Sequence, residues 1–135
     1  MSFYSGFIIY SNSLEKNALF LKPEFKLDLV LNYSHETAFK SFEQGKNTAR
    51  DVNLEWLIRI AGTKQIFQAL ELTKPIEKMP CLFLSERPFK APKTIVIPEK
   101  TVLKDLWEKQ KNFFHWNGSK EALELDLIEQ RALMF

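Results

Sequence analysis

Residues 53–70 read NLEWLIRIAGTKQIFQAL, two apolar helical segments separated by a single glycine. Asn53 is a suitable N-cap for the first segment, and Gly62 stands where a helix C-terminus favours a left-handed residue. Thr63 is in turn able to cap a second helix. Lys64 is then expected in the first turn of that helix, where the macrodipole already concentrates positive charge. A cation there breaks a local rule, and such exceptions are expected at functional sites.

Four segments outside this stretch have the patterns of β-strands. Aromatic and β-branched residues predict a strand over residues 4–10, and apolar residues alternate with a period of two over residues 25–31. The short apolar run at residues 80–84 predicts a buried strand. Residues 94–97 have prolines on both sides, which is typical of an edge strand. The sequence therefore predicts a small mixed β-sheet of about four strands.

Helical patterns fill most of the remaining chain. The predicted helices cover residues 34–44 (capped by Ser34 and ended by Gly45), 54–61, 64–72, 100–114, and a closing segment capped by Ser119. Strands and helices thus interleave, which predicts an α/β or α+β fold with helices packed on the sheet. A chain of 135 residues with 45% hydrophobic content has enough apolar material for one core. We expect one domain over residues 1–135.

The overall charge and the cysteine content limit the class of protein. A net charge of +2 permits a local basic patch, although nucleic-acid binders commonly show a larger excess of basic residues. The single cysteine, Cys81, has no intramolecular partner, which favours a reducing compartment. No apolar run approaches the ~20 residues that span a bilayer, and the N-terminal residues lack a signal-peptide pattern. We expect a cytoplasmic protein without a membrane partner.

Residue types that support catalysis are sparse in this chain. The two histidines, one cysteine and four glycines form no metal-ligand spacing and no Gly-rich phosphate loop. His35 is expected to cap or pack a helix, and His115 is expected to pack between Phe114 and Trp116. Cys81 lies in an apolar run without a neighbouring base, which favours an inert thiol. These patterns predict a protein that is not an enzyme and has no cofactor and no metal.

The sequence around the glycine break resembles that of the kinase-binding subunit of the KEOPS complex. This complex makes threonylcarbamoyladenosine in tRNA. The resemblance rests on the apolar-rich run from Glu55 to Ile60, then Ala61-Gly62-Thr63-Lys64-Gln65-Ile66, then Ala69. It covers residues 25–84 well and the last fifteen loosely. It implies a non-catalytic subunit that binds the complex's protein kinase subunit and recruits tRNA through its single-stranded CCA end.

The chemistry of RNA ends suggests which residues would contact tRNA. A single-stranded end is bound by phosphate contacts together with stacking and edge contacts to splayed bases. Lys64 beside open helix amides would form a phosphate receptor. We therefore predict tRNA contacts at Arg59, Lys64 and Gln65, with Lys46 and Arg50 as outlying phosphate contacts. Solvated surface is the alternative for Lys46, Arg50 and Arg59.

The closing helix carries two apolar stripes. One stripe is formed by Leu125, Ile128, Ala132 and Phe135, and the other by Leu123, Leu127 and Met134. One stripe suffices to dock the helix, so the second either contacts the core or remains open to another protein. The resemblance implies that the terminal helix contributes to docking on the kinase. The predicted kinase-binding residues are Leu123, Leu127, Ile128 and Met134.

Two other functions stay open. In one, the chain is a small phosphate-ligand-binding α/β domain or an enzyme unrelated to tRNA, and the helix start at Lys64 holds a metabolite phosphate. In the other, the chain is a structural adaptor that binds the kinase but no ligand. Phe67 is either a stacking platform for a base or a core residue, and the core is the favoured interpretation.

Overall fold

The computed structural model describes residues 3–14 and 17–135. Its elements are β1 (Tyr4–Ile9), β2 (Leu19–Leu21), a 3₁₀ helix (Pro23–Phe25), α1 (Asp28–Glu43), α2 (Val52–Ala61), α3 (Ile66–Thr73), β3 (Pro80–Ser85), β4 (Val96–Ile97), α4 (Glu99–Leu103), α5 (Leu106–Phe114) and α6 (Lys120–Met134). The chain forms two compact units. The sheet unit comprises Met1–Lys26 and Thr73–Trp116, and the helical unit comprises Leu27–Leu72 and Asn117–Phe135. One domain over residues 1–135 stays a prediction.

The four strands of the sheet unit have the order β2-β3-β1-β4. Phe7 of β1 lies opposite Leu82 of β3 on one side and Ile97 of β4 on the other, while Leu19 of β2 lies opposite Leu84. The predicted α+β class and the number of strands are confirmed. Every pair of neighbouring strands is antiparallel, however, so the sheet is not the mixed sheet that the sequence predicted.

Aromatic rings attach α5 to the 3₁₀ helix of the sheet unit. The buried ring of Phe25 meets the rings of Phe113 and Phe114 edge-on, at centroid distances of 5.3 and 5.9 Å. The side-chain amide of Gln110 donates to the carbonyl groups of Glu24 and Lys26 at 3.2 and 2.9 Å. This buried glutamine is satisfied by backbone acceptors, as a polar group in a core must be.

The helical unit is built around the fully buried Trp56 of α2. Its indole N–H donates to the carbonyl of Leu31 in α1 at 3.2 Å. The imidazole of His35 lies between the rings of Phe39 and Trp56, at centroid distances of 4.8 and 4.6 Å. Burial lowers the pKa of His35 because the charged form is poorly solvated there. The structure confirms the packing interpretation of His35.

The predicted strand at residues 25–31 is wrong, because α1 begins at Asp28 and includes the residues that were expected to start the next helix. The alternation was misleading because residues four and seven positions after Leu27 also lie on one face of a helix. Leu27, Leu31 and Ser34 are buried, whereas Leu29 is exposed. The fourth strand is instead β2, which the sequence did not predict.

Several helix boundaries also differ from those predicted. Asp51 caps α2 in place of Asn53, because its carboxylate accepts the N–H of Leu54 at 2.9 Å. The predicted helix over residues 100–114 is two helices that meet at Lys104 and Asp105. Ser119 caps α6 as predicted, since its hydroxyl accepts the N–H of Ala122 at 3.1 Å. Over residues 3–14 and 17–135, no helix has the length and apolar character required to cross a membrane.

Candidate nucleic-acid interface

The break between α2 and α3 is formed by a left-handed glycine. Gly62 has a φ of 75° and a ψ of 35°, as the sequence predicted. Its N–H and that of Thr63 both donate to the carbonyl of Ile58, at 2.9 and 3.2 Å. These bonds satisfy a carbonyl that the end of the helix would otherwise leave without a partner. The chain therefore turns sharply out of α2 at a defined point.

The buried guanidinium of Arg131 closes the end of α2. Its Nε donates to the carbonyl of Arg59 at 3.1 Å, and its Nη2 donates to the carbonyl of Ile60 at 2.8 Å. Burial lowers the pKa of Arg131 to about 10. A Cβ at Gly62 would lie 2.8 Å from the guanidinium carbon, so position 62 has no room for a side chain. Arg131 follows Leu127 by four residues, a signal that could have predicted its burial.

A buried ion pair holds Arg59 inside the helical unit. The carboxylate of Glu55 is fully buried, and one of its oxygens accepts the Nε–H of Arg59 at 3.0 Å. The other accepts backbone N–H groups of Thr48 and of Ala49, the latter at 2.9 Å. The Arg59 guanidinium also lies 4.5 Å from the ring centre of Phe135. These contacts argue against the predicted tRNA contact at Arg59, because its charge is already neutralised and shielded.

Lys64 does not lie in the first turn of α3, so that prediction is wrong. The helix begins at Ile66, and Lys64 precedes it by two residues with an exposed side chain. Its ammonium nitrogen is 5.9 Å from the ring centre of Phe135, within the range of a cation–π attraction. The cation therefore avoids the dipole conflict that the sequence suggested.

The side chain of Thr63 organises the start of α3. Its hydroxyl accepts the N–H of Gln65 at 3.2 Å and lies 3.1 Å from Oε1 of Gln68. The N–H of Gln65 is thus occupied and does not join Lys64 in a phosphate receptor. The side chain of Gln65 is exposed and makes none of these contacts.

An open groove of about 540 Å³ lies beside the break. It is lined by Ala61, Gly62, Thr63, Phe67, Gln68, Glu71 and Leu72. The ring of Phe67 is 74% exposed, so the core interpretation of this residue is wrong. Lys64 and Gln65, also exposed, occupy the chain between two lining residues. Neither Lys64 nor Gln65 lines the groove itself. Both are exposed within three residues of Phe67 along the chain.

Lys46 and Arg50 are exposed in the loop before α2. The groove adjoins the opposite end of that helix, whose ten residues span about 15 Å. The structure does not bring these two residues together with Lys64. A contact to the same RNA would require a strand that extends along α2.

Two of the four predicted kinase-binding residues of α6 are buried. Leu123 and Leu127 are 1% and 7% exposed, and they pack inside the helical unit. Glu124 shares their face, where its carboxylate accepts the N–H of Leu29 at 3.1 Å and so caps α1. Burial raises the pKa of Glu124. The burial of these two leucines excludes them from a docking surface in this conformation.

The apolar surface of α6 lies on its other side. Leu125 and Leu133 are 54% and 84% exposed, although neither was predicted to bind the kinase. Met134 is also exposed, and Ile128 is half-buried. The sequence showed two stripes but not their orientation, which depends on which one meets α1 and α2.

Comparison with known proteins adds no family to these observations. No protein-family model matches the chain, and no curated protein matches it. Within residues 3–14 and 17–135, no group of three His, Cys, Asp or Glu side chains could hold a metal ion. Burial raises the pKa of Cys81 to about 12, so its thiol is protonated and unreactive at neutral pH.

Proposed function

We propose that this chain is a non-catalytic subunit of the KEOPS complex that binds the complex's protein kinase subunit and recruits tRNA through its CCA end. One observation carries the RNA half of this proposal. The groove at the α2–α3 break is lined by the exposed ring of Phe67, and the exposed residues Lys64 and Gln65 lie two to three residues before it in the chain. Ring faces that stack on bases and cations that contact phosphates are the usual means of binding single-stranded RNA.

Each residue of the groove has a distinct role in this proposal. Phe67 stacks on a base of the CCA end, Lys64 contacts a phosphate, and the amide of Gln65 reaches a base edge. Arg131 and Gly62 keep the groove open by fixing the end of α2. Lys46 and Arg50 contact the RNA backbone beyond the groove. Arg59 acts only through the structure of α2.

The kinase half of the proposal uses the exposed side of α6. Leu125 and Leu133 are exposed on this helix with the exposed Glu129 between them at a spacing of four residues. Exposed leucines at helical spacing suit docking into an apolar groove of another protein. Ile128 lies next to Leu125 and remains part of the proposed interface. Met134 is exposed at the end of the stripe formed by Leu123 and Leu127 and also remains a proposed contact. Leu123 and Leu127 support the helix from beneath.

Substitution of Phe67 by alanine tests the RNA half. Stacking of a base on an aromatic ring contributes about 1–3 kcal/mol, so we expect the affinity for intact tRNA to fall by about fivefold or more. The affinity for tRNA without its CCA end should not change. Fluorescence anisotropy with the two RNAs measures both values.

Leu70→Ala is the matched control, because Leu70 is exposed on the same helix but does not line the groove. This variant should bind like the wild type. Equal binding of intact and trimmed tRNA by the wild-type protein would contradict the CCA proposal. An unchanged Phe67→Ala variant would contradict the role of the groove.

Charge introduction on α6 tests the kinase half. The double substitution Leu125→Glu and Leu133→Glu places two carboxylates in the proposed interface, where they would be desolvated. We expect loss of binding to the KEOPS kinase subunit by at least about a hundredfold, with a native circular dichroism spectrum. Leu70→Glu, on α3, is the control and should bind normally. Normal kinase binding by the double variant would place the interface elsewhere.

The groove also favours a second candidate, a small phosphate-ligand-binding domain. Its volume falls within the range of small-molecule sites, and Lys64 supplies a cation. This alternative predicts calorimetrically measurable binding of a nucleotide or a sugar phosphate. Lys64→Glu should abolish that binding, and the wild-type protein should show no affinity for tRNA.

A further inference from the structure

The positive charge of the chain is concentrated in one short segment. Residues 87–104, here called the basic segment, contain five basic residues and one acidic residue, a net charge of +4. The basic residues are Arg87, Lys90, Lys93, Lys100 and Lys104, and the acidic residue is Glu99. Glu86 and Asp105 flank the segment directly, so residues 86–105 carry +2, equal to the net charge of the whole chain. A basic partner surface is therefore expected here rather than elsewhere in the chain.

The charges of the basic segment are available to a ligand. All five basic side chains are exposed. None of them belongs to an ion pair among the residues that the structure describes. The charge of Arg87 interacts with the neighbouring carboxylate of Glu86. The four lysines are therefore the main source of a local positive potential.

The segment is attached to the sheet and stiffened along its length. The ring of Phe89 packs against the rings of Phe83 and Phe20, at centroid distances of 4.8 and 5.7 Å. The carbonyl of Ile95 accepts the N–H of Ile9 in β1 at 2.8 Å. Prolines at positions 88, 92 and 98 restrict the backbone between these anchors. Little conformational entropy would be lost when a ligand binds such a segment.

We propose that the basic segment is a second RNA-contacting surface, which binds the sugar–phosphate backbone without reading its sequence. Four of its five basic residues are lysines, which act as point charges towards phosphate. Protein–protein interfaces are depleted in lysine, whereas nucleic-acid interfaces are strongly positive. The proposed function identifies the RNA as tRNA, and the basic segment would contact the tRNA backbone away from the CCA end.

The salt dependence of RNA binding tests this proposal. The fourfold variant Lys90→Gln, Lys93→Gln, Lys100→Gln and Lys104→Gln removes four charges without changing a buried residue. Each phosphate contact adds about 0.7 to the slope of log affinity against log salt for a single strand and about 0.9 for B-form DNA. If all four lysines contact phosphates, we expect the slope to fall by about 3. Between 50 and 200 mM salt, the wild type should then lose roughly 60-fold more affinity than the variant.

The matched control replaces the same four lysines by arginine and keeps the charge. Its slope should equal that of the wild type, and circular dichroism should show native folding for both variants. An unchanged slope in the glutamine variant would overturn the proposal. The proposal would also be overturned if the glutamine variant bound RNA normally but no longer bound the kinase. The segment would then be a contact for an acidic surface of that protein.

Intact and trimmed tRNA separate this proposal from the proposed function. If the glutamine variant has a smaller salt slope than the wild type with both RNAs, the proposed role of the basic segment is supported. This holds even if intact and trimmed tRNA bind equally well. If intact tRNA binds better than trimmed tRNA and the variant retains the wild-type slope for both, the proposed function stands and the basic segment is excluded.

Discussion

Substitution of Glu55 by alanine is expected to destabilise the protein by about 3–5 kcal/mol, because it removes one partner of a buried ion pair. The carboxylate of Glu55 is fully buried and accepts hydrogen bonds from Arg59 and from the N–H groups of Thr48 and Ala49. Without it, a guanidinium and two loop amides lose their acceptor. This loss is a large part of the ~5–15 kcal/mol that stabilises a typical domain.

Urea denaturation followed by circular dichroism measures this change. The matched control is Glu36→Ala, which removes a carboxylate from an i,i+4 pair with Lys40 on the surface of α1. Both of those side chains are solvated, so the control should be close to wild type. Glu55→Gln keeps a hydrogen-bond acceptor for the loop amides. Its free energy of unfolding should lie between those of Glu55→Ala and Glu36→Ala. Equal stability of the Glu55→Ala and Glu36→Ala variants would show that the buried pair is not a stabilising contact.

Substitution of Gly62 by alanine is expected to produce the second large effect. A left-handed conformation costs a residue with a Cβ about 1–2 kcal/mol. The new methyl group would also displace the guanidinium of Arg131, whose hydrogen bonds to backbone carbonyls are each worth about 1.5–3 kcal/mol. If one of these hydrogen bonds is lost, we expect a total loss of about 2.5–5 kcal/mol and a collapsed groove with reduced affinity for the CCA end.

Gly45→Ala is the control that separates the two causes. Gly45 has a φ of 67° at the end of α1, but a Cβ there would have no atom within 4 Å. It should therefore show the backbone cost alone. The difference between the two variants in urea denaturation isolates the contribution of Arg131. If Gly62→Ala and Gly45→Ala are equally destabilised, Arg131 does not stabilise the end of α2.

Local sequence signals predicted several helix ends correctly. Gly45 and Gly62 end their helices in the left-handed conformation, and Ser119 caps α6. Each prediction depends on the conformation or the hydrogen bonds of one or two neighbouring residues. The strand at Tyr4–Ile9 was equally predictable, because its aromatic and β-branched residues favour an extended backbone.

Predictions that depended on orientation were less successful. A period of two and a period of 3.6 share positions over short segments, so the residues around Leu29 read as a strand although they start α1. Glu124, almost a hundred residues away, caps this helix and was not part of any local pattern. The RNA site at the break stays a prediction, and the buried ion pair of Arg59 was not visible in the local sequence.

The sequence by itself determined where α1 and α2 end and where α6 begins, because glycine conformation and side-chain capping act over a few residues. It also indicated that the break at Gly62 deserves a functional explanation. Only the tertiary structure decided that Leu123 and Leu127 are buried, that Phe67 is exposed, and that Arg131 closes α2. The reason is that burial and ion pairing depend on which faces meet, and residues distant in the sequence supply those faces.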